Sequence, residues 1–557
     1  MRFRGPFLIA VLGVVSASAC SSGESIINAG NDPTTTTAPL ASSTVSPTAA
    51  TIPAPVATTE PPVVSATSDA TPPDSGRPTA SGAAPSTAAP TTAPADTTAA
   101  PTTTAAPTTT AGTTPLTGLA ECPVDALDDA EGPVAITLWY GFGAEVEPAF
   151  VELVDAYNAS QDRVRVTAQN QTSYDNTITA YAQSSVEARA DVVVMPEYML
   201  QQLVDTDEVV PVGACIDAGA FDPATILPRP LEAYATAGVQ WGMPFNVSNP
   251  VLYYNRVAFA AAGLDPDDPP QTLAELRSYS QQLVDSGAVR WGIAFDSGAD
   301  SGGGWFLEQW LGKAGAEYSD NGNGRLAPST HVLFNGPVGT ELLTEVQAMI
   351  GDGIAMSVGN NANTGFDQLL KIADQNEPAA MAIATSAALS TVLTVLGGGM
   401  IPGVGPDDVG VAPLPGPSDV PGALVGGGAL YITADGNAAQ IAASWDFIEF
   451  MSSAQAQSTW AAGTGYAPIR ADALEVEPLA SVYAADPRFR VAYEQLTADV
   501  AAGAALGPVI GPLREIRAVV AGATAEIFAG GDVQVALDNA AAQADALIQN
   551  YNATVGG

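Results

Sequence analysis

Between residues 133 and 197 the chain reads strand, helix, strand, helix, strand, and this alternation restricts the possible folds more than any other feature. "PVAITLWYGFG" is rich in β-branched and aromatic residues, and "EVEPAFVELVDAYNAS" spaces its apolar residues at helical intervals. "RVRVTAQN" alternates as a strand and "SYDNTITAYAQSSVEAR" returns to helix. "ADVVVMPE" is a short, wholly apolar strand of the kind buried in a parallel sheet. Such a texture predicts an α/β layer with a mostly parallel sheet. Ligands of these sheets sit beyond the carboxyl ends of the strands. The loops 139–143, 172–175 and 196–198 are therefore candidate binding loops.

What precedes this region cannot build a core. The first 20 residues, "MRFRGPFLIAVLGVVSASAC", place Arg2 and Arg4 before an apolar run, then small residues ending at Cys20. That is the layout of a secretory signal peptide, and Ala17-Ser18-Ala19-Cys20 fits the form in which the cysteine is lipidated. Residues 21–130 are mostly Thr, Ala, Pro and Ser, as in "STAAPTTAPADTTAAPTTTAAPTTTAGTT". With so few large apolar side chains, ordering this segment has nothing to offset its entropy, so a disordered tether is expected. The folded part is then 131–557, which continues beyond the opening layer with a second α/β region and a helical C-terminal part.

The formal net charge of −41, with only 18 Lys and Arg, excludes nucleic acid and anionic membrane surfaces as partners. Lysine occurs only at Lys313 and Lys371, so recognition of an anion would fall to arginine. In an exported protein Cys122 and Cys215 are expected to form a disulfide rather than stay as free thiols. Two cysteines and the single histidine, His331, do not make a zinc site. "LGGGM" and "VGGGA" lack the Lys-Ser/Thr of a nucleotide loop, and "SDNGNGRL" reads as a turn without calcium-loop spacing. No cofactor is implied. Catalysis is not expected either: Glu145 and Glu147 are too close along the chain to flank a bond, and His331 sits in a turn-like stretch away from any nucleophile motif.

"MPFNVSNPVLYYNR", residues 243–256, joins a polar Asn-Val-Ser-Asn to an apolar, aromatic run. Together with "ITLWYGFGAEVEPAFVELVDAYNAS", "AGLDPDDPP", "GGGALYIT", "TGYAPIR" and "REIRAVV", it resembles the extracellular solute-binding proteins of ABC importers, carbohydrate-type group. The resemblance spans the whole folded part, and within the group it is strongest to members that bind sn-glycerol-3-phosphate. It implies a periplasmic-binding-protein-like fold of two α/β lobes joined by crossing segments, with the solute trapped between them. On that pattern the first lobe takes about 131–245 and 386–427, and the second about 246–385 and 428–557. The crossings fall at 243–256, 383–389 and 426–431. Tyr253 and Tyr254 are then packing residues, while Ser248 and Asn246 face the cleft.

The resemblance places ligand contacts at Tyr174, Glu197, Ser248, Ser386, Gly427, Tyr466 and Arg517. Tyr174, Ser248, Tyr466 and Arg517 supply the hydroxyl and guanidinium donors that a phosphate ester needs, and Glu197 suits glycerol hydroxyls. Alternatives stay open at several positions: Thr385 for Ser386, Gly426 for Gly427, and a salt bridge with Glu515 for Arg517. Trp305 either stacks on the solute or fills core. The implied function is an extracytoplasmic, lipid-anchored monomer that captures sn-glycerol-3-phosphate or a glycerophosphodiester for permease subunits in the membrane. A receptor for a neutral sugar or oligosaccharide, or an exported glycoside hydrolase, is the alternative.

Overall fold

The computed structural model describes residues 121–299, 301–360, 366–397, 403–498 and 506–555. The signal-like segment with Cys20 and nearly all of the tether lie outside the described residues. The opening alternation folds as expected. Strands β1 (Val134–Tyr140), β2 (Val164–Asn170) and β3 (Val192–Pro196) are parallel, with the helices Glu147–Ser160 and Tyr174–Gln183 between them. Strands β4 (Val209–Val210), β7 (Met243–Ser248) and β13 (Gly426–Thr433) complete this first sheet. Its order is β2-β1-β3-β13-β4, with β7 also paired to β13. A small hairpin of β5 (Ala235–Thr236) and β6 (Val239–Gln240) lies just before β7.

A second sheet runs β10-β9-β11-β8-β12. It is built from β8 (Pro250–Asn255), β9 (Trp291–Phe295), β10 (Ala355–Ser357), β11 (Ala379–Thr385) and β12 (Val409–Pro413). Only Asn249 separates β7 from β8, so the chain passes from one sheet to the other across a single residue. The polar half of residues 243–256 is thus the first crossing. Tyr253 and Tyr254 are buried beyond it, their hydroxyls donating to the carbonyls of Thr385 and Pro266.

Later segments are distributed differently from the expected lobes. Residues 386–397 and 403–413 belong to the second lobe: β12 pairs with β8, and Leu389 and Leu396 pack with Val251, Tyr253 and Val409. Conversely, β13 and the helices Ala438–Met451 and Ala454–Gly463 belong to the first lobe. Trp460 stands against Phe142, Phe150 and Phe245 at ring-centroid distances of 5.3, 6.1 and 4.9 Å. The second crossing is therefore 414–425, and the chain returns through 486–490, where Arg488 donates to the carbonyls of Pro406 and Val409. The helices Val491–Thr497, Leu513–Phe528 and Val533–Val555 then complete the second lobe. Periodicity identifies a strand but not the sheet it joins, which is set by pairing and packing partners distant in sequence.

Two local features hold this frame. A disulfide joins Cys122 to Cys215, closing 93 residues of chain around the first lobe. Gly427 has φ +95°, and a Cβ there would stand 1.9 Å from the Asn246 carbonyl oxygen, so only glycine fits the β7–β13 approach.

Lys313 secures the second crossing: its Nζ donates to the Gly422 carbonyl at 3.1 Å, and burial pulls its pKa down to about 8. A lysine depressed in the folded state binds fewer protons there than in the unfolded chain at pH values between the two pKa values. Stability should therefore rise with pH from about 8 to 9.5, by up to about 1.4 kcal/mol per pH unit from this group. Denaturant titrations of the wild type and Lys313→Met over that range should show the rise in the wild type only.

Candidate functional site

The buried strand β3 ends at Pro196, and the next residue, Glu197, opens a single helical turn, Glu197–Met199, at the strand's carboxyl end. That places the carboxylate where the lobes meet. From the second lobe, the helix Leu513–Phe528 brings Arg517 to the same place, and the helix Trp305–Lys313 brings Glu308. The Arg517 guanidinium donates from Nε and Nη2 to the two Glu308 oxygens at 2.7 Å each, and from Nη2 to Glu197 Oε1 at 2.9 Å. It also lies 5.0 Å from the centroid of the Tyr198 ring. Arg517 and Glu308 side chains are 3% and 2% exposed, which makes this a buried pair with a second carboxylate reaching it from the other lobe. Burial raises the pKa of Glu197 and the Arg517 charge opposes that rise.

Trp305 begins its helix directly over the second crossing, where a Cβ on Gly426 would come within 2.4 Å of its ring. With Glu197, Glu308, Arg325, Leu424 and Arg517 it lines a cavity of about 20 Å³ between the lobes, room for roughly one water molecule. The lobes stand closed on one another.

A second group of polar side chains lies on the first lobe. Tyr174 is the first residue of its helix, whose N-cap Ser173 accepts from the Asn176 amide, and its hydroxyl accepts from Asn246 Nδ2 at 2.5 Å. Tyr466 stacks on Trp460, with ring centroids 5.2 Å apart and planes 19° from parallel. Burial holds the hydroxyls of Tyr174, Tyr234, Tyr431 and Tyr466 above their ordinary pKa, and the Glu197 carboxylate adds to the rise in each. Among the described residues, the Tyr234 and Tyr431 hydroxyls and Asn246 Oδ1 are buried without a hydrogen-bond partner.

The expected contacts thus sort into four places. Glu197, Trp305 and Arg517 share the interlobe cavity, and Tyr174 and Tyr466 meet around Asn246 and under the field of Glu197. Ser248 and Gly427 lie on the β7–β13 ladder, opposite Gly426 and Val247 respectively. Ser386 lies at the hinge: its amide donates to the Asn249 carbonyl at 2.8 Å and its hydroxyl accepts from the Asn249 amide at 3.4 Å. Glu515 is exposed on the face of the helix away from Arg517, so the pairing considered for them does not form. Sequence reasoning overlooked Glu308, Tyr234, Tyr431 and Arg325. Glu308 carried a signal, as an acid inside the apolar "WFLEQWLGK" helix, all nine residues of which are buried.

Residues 152–491, more than half of the chain, match the family described as bacterial extracellular solute-binding protein. The chain belongs to that family. A relative in Pectobacterium atrosepticum, the sn-glycerol-3-phosphate-binding periplasmic protein, is 26% identical over 78% of this chain and 96% of its own. Among solved structures, the cyclic α-maltosyl-1,6-maltose-binding protein of Arthrobacter globiformis superposes with a TM-score of 0.60 at 24% identity. It covers 75% of this chain and 100% of that one. UgpB of Mycobacterium tuberculosis, solved with glycerophosphocholine, superposes with a TM-score of 0.60 at 22% identity, covering 76% and 100%. These structures share the two-lobed fold. Family membership makes the chain the solute-binding component of an ABC importer, working outside the cytoplasm, and its relatives are binding proteins rather than enzymes. No described helix is long and apolar enough to cross a membrane.

Removing one partner of a buried ion pair leaves the other charge uncompensated. Glu308→Ala should lower the unfolding free energy by about 3–5 kcal/mol, while Glu197→Gln, which removes only the third member, should cost much less. Chemical denaturation of both variants measures the difference; equal losses would contradict the assignment of Glu308 as the main partner of Arg517.

Proposed function

We propose that this solute-binding protein captures a glycerophosphodiester, held to the outer face of the membrane by a lipid on Cys20 and handing its cargo to permease subunits. The residue 21–130 tether supplies reach. Arg517 reads the phosphate, and Glu197 with the hydroxyls of Tyr174 and Tyr466 reads the glycerol end. The observation that carries this reading is the company of Arg517: two carboxylates, Glu197 and Glu308, bind its guanidinium, while the other arginine lining the cavity, Arg325, is bound to main-chain carbonyls. A phosphate monoester carries about −1.5 to −2 charges near neutral pH and would be repelled by the two carboxylates beside Arg517. A diester carries a single negative charge, and a cationic head group on it would be drawn to the aromatic rings of Tyr198 and Trp305. The relative named for sn-glycerol-3-phosphate supports the class of solute. Buried polar atoms without partners, such as Asn246 Oδ1 and the Tyr234 hydroxyl, suit a ligand with several hydroxyls.

Capture is a shift of population toward the closed form, driven by the ligand's greater affinity for it. Calorimetry with glycerophosphocholine, sn-glycerol-3-phosphate and maltose tests the assignment. Glycerophosphocholine should bind most tightly, the monoester more weakly and maltose not at all. Glu197→Gln should narrow the gap between the two phosphate esters by removing one negative charge, while Arg517→Lys should weaken both. Binding of maltose with neither phosphate ester bound would replace this reading with the neutral-sugar one.

A further inference from the structure

The turn "SDNGNGRL", which the binding site does not otherwise use, delivers a second arginine to the interface between the lobes. Asp320 accepts from the amides of Thr330 and His331 and from the Thr330 hydroxyl, and Asn323 Oδ1 accepts from the amides of Tyr318 and Ser319. The Ser319 and Ser329 hydroxyls are bonded across the turn, and Asn552 grips it from the C-terminal helix through the Ser329 carbonyl. Gly324, at φ +77°, presses on residues 506–511: a Cβ there would stand 2.1 Å from the Val509 carbonyl oxygen. The turn is a braced platform of the second lobe, and the residue it projects is Arg325.

Every guanidinium nitrogen of Arg325 donates to main-chain carbonyls, and those carbonyls come from both lobes. Nε reaches Gly507 at 3.0 Å and Nη2 reaches Leu506 at 2.8 Å, both on the second lobe. Nη1 reaches Glu232 at 3.2 Å and Ala235 at 3.1 Å, and Nη2 reaches Ala233 at 3.5 Å, all on the first lobe. The same side chain lines the cavity that holds Glu197, Trp305 and Arg517.

We propose that Arg325 is an interlobe clasp, a positioning residue that holds the closed form over the bound solute by joining the main chains of the two lobes through one guanidinium. Its planar fork of donors spans both sets of carbonyls at once, which the single ammonium of a lysine does not. Its acceptors are backbone atoms, so the clasp closes on any solute that lets the lobes meet; Arg325 governs retention, and the Glu197–Arg517 group governs choice. Only the ligand arm of the test rests on the proposed solute.

The test compares the full-length protein with Arg325→Ala and Arg325→Lys. Hydrogen–deuterium exchange is followed at residues 174–177 and 197–205 of the first lobe. There Asp175 meets Arg514, Glu197 meets Arg517 and Asp205 meets Tyr551, all contacts to the second lobe that do not involve Arg325. Without ligand, Arg325→Ala should speed exchange at these segments and leave β3 and β11 unchanged, with Arg325→Lys in between. Release of glycerophosphocholine should quicken by about tenfold or more in Arg325→Ala. Faster exchange confined to 506–511, with the distant contact segments as in the wild type, would overturn the clasp and leave a local brace. If Arg325→Ala does not fold, wild-type exchange at those segments in Arg325→Lys overturns it equally. Failure of glycerophosphocholine to bind the wild type defeats the proposed solute and leaves the exchange result to stand alone.

Discussion

The guanidinium of Arg517 is the point on which the closed molecule turns. A cation this deeply enclosed is tolerable only with a counter-charge, and Glu308 supplies it in bidentate form from a helix of the same lobe. That pair fixes the side chain in one orientation before the lobes meet. Glu197 then completes the group from the end of β3, so the contact that joins the lobes is also the most strongly charged part of the cleft. Removing water from this group on closure strengthens each of its interactions.

The parts of this arrangement visible in the sequence are those carried by local pattern or by rarity. The first three strands and their helices follow from periodicity alone. The first crossing, within 243–256, and Arg517 are reached through the resemblance, the polar Asn-Val-Ser-Asn stretch and the scarcity of cations lending them support. Which lobe β12 and β13 join is invisible locally, since each is a short apolar segment and its sheet is chosen by partners such as Tyr253 and Val193 far away in the chain. The same limit hid the partner of Arg517, since Glu308 lies 209 residues before it. Arg325 is harder still, because its acceptors are main-chain carbonyls, which every residue possesses and no sequence marks.

Ser386 lies in the neighbourhood that the resemblance implies, and the structure bonds it to the hinge. It adjoins the first crossing, as a hinge-side ligand contact should, yet both of its backbone and side-chain bonds go to Asn249. A small hydroxyl residue there ties the end of β11 to the residue on which the lobes pivot. The bond fixes the position of the hinge.

The chemistry of the interlobe contacts also accounts for reversibility. A capture protein must open again, so its closed interface has to lie within reach of the free energy one small solute supplies, about 8 kcal/mol at micromolar affinity. Broad apolar contact between lobes would resemble a core cut in two and would hold the molecule shut. Among the described residues, the polar links between the lobes include Arg517 with Glu197, Arg514 with Asp175, Tyr551 with Asp205, Arg229 with the carbonyls of Gln495 and Ala498, and Arg325 with three carbonyls. Each of these groups finds water when the cleft opens, so its net contribution is about 0.5–3 kcal/mol rather than the full strength of the bond. Polar contacts of this size leave open and closed forms close enough in energy for a ligand to decide between them.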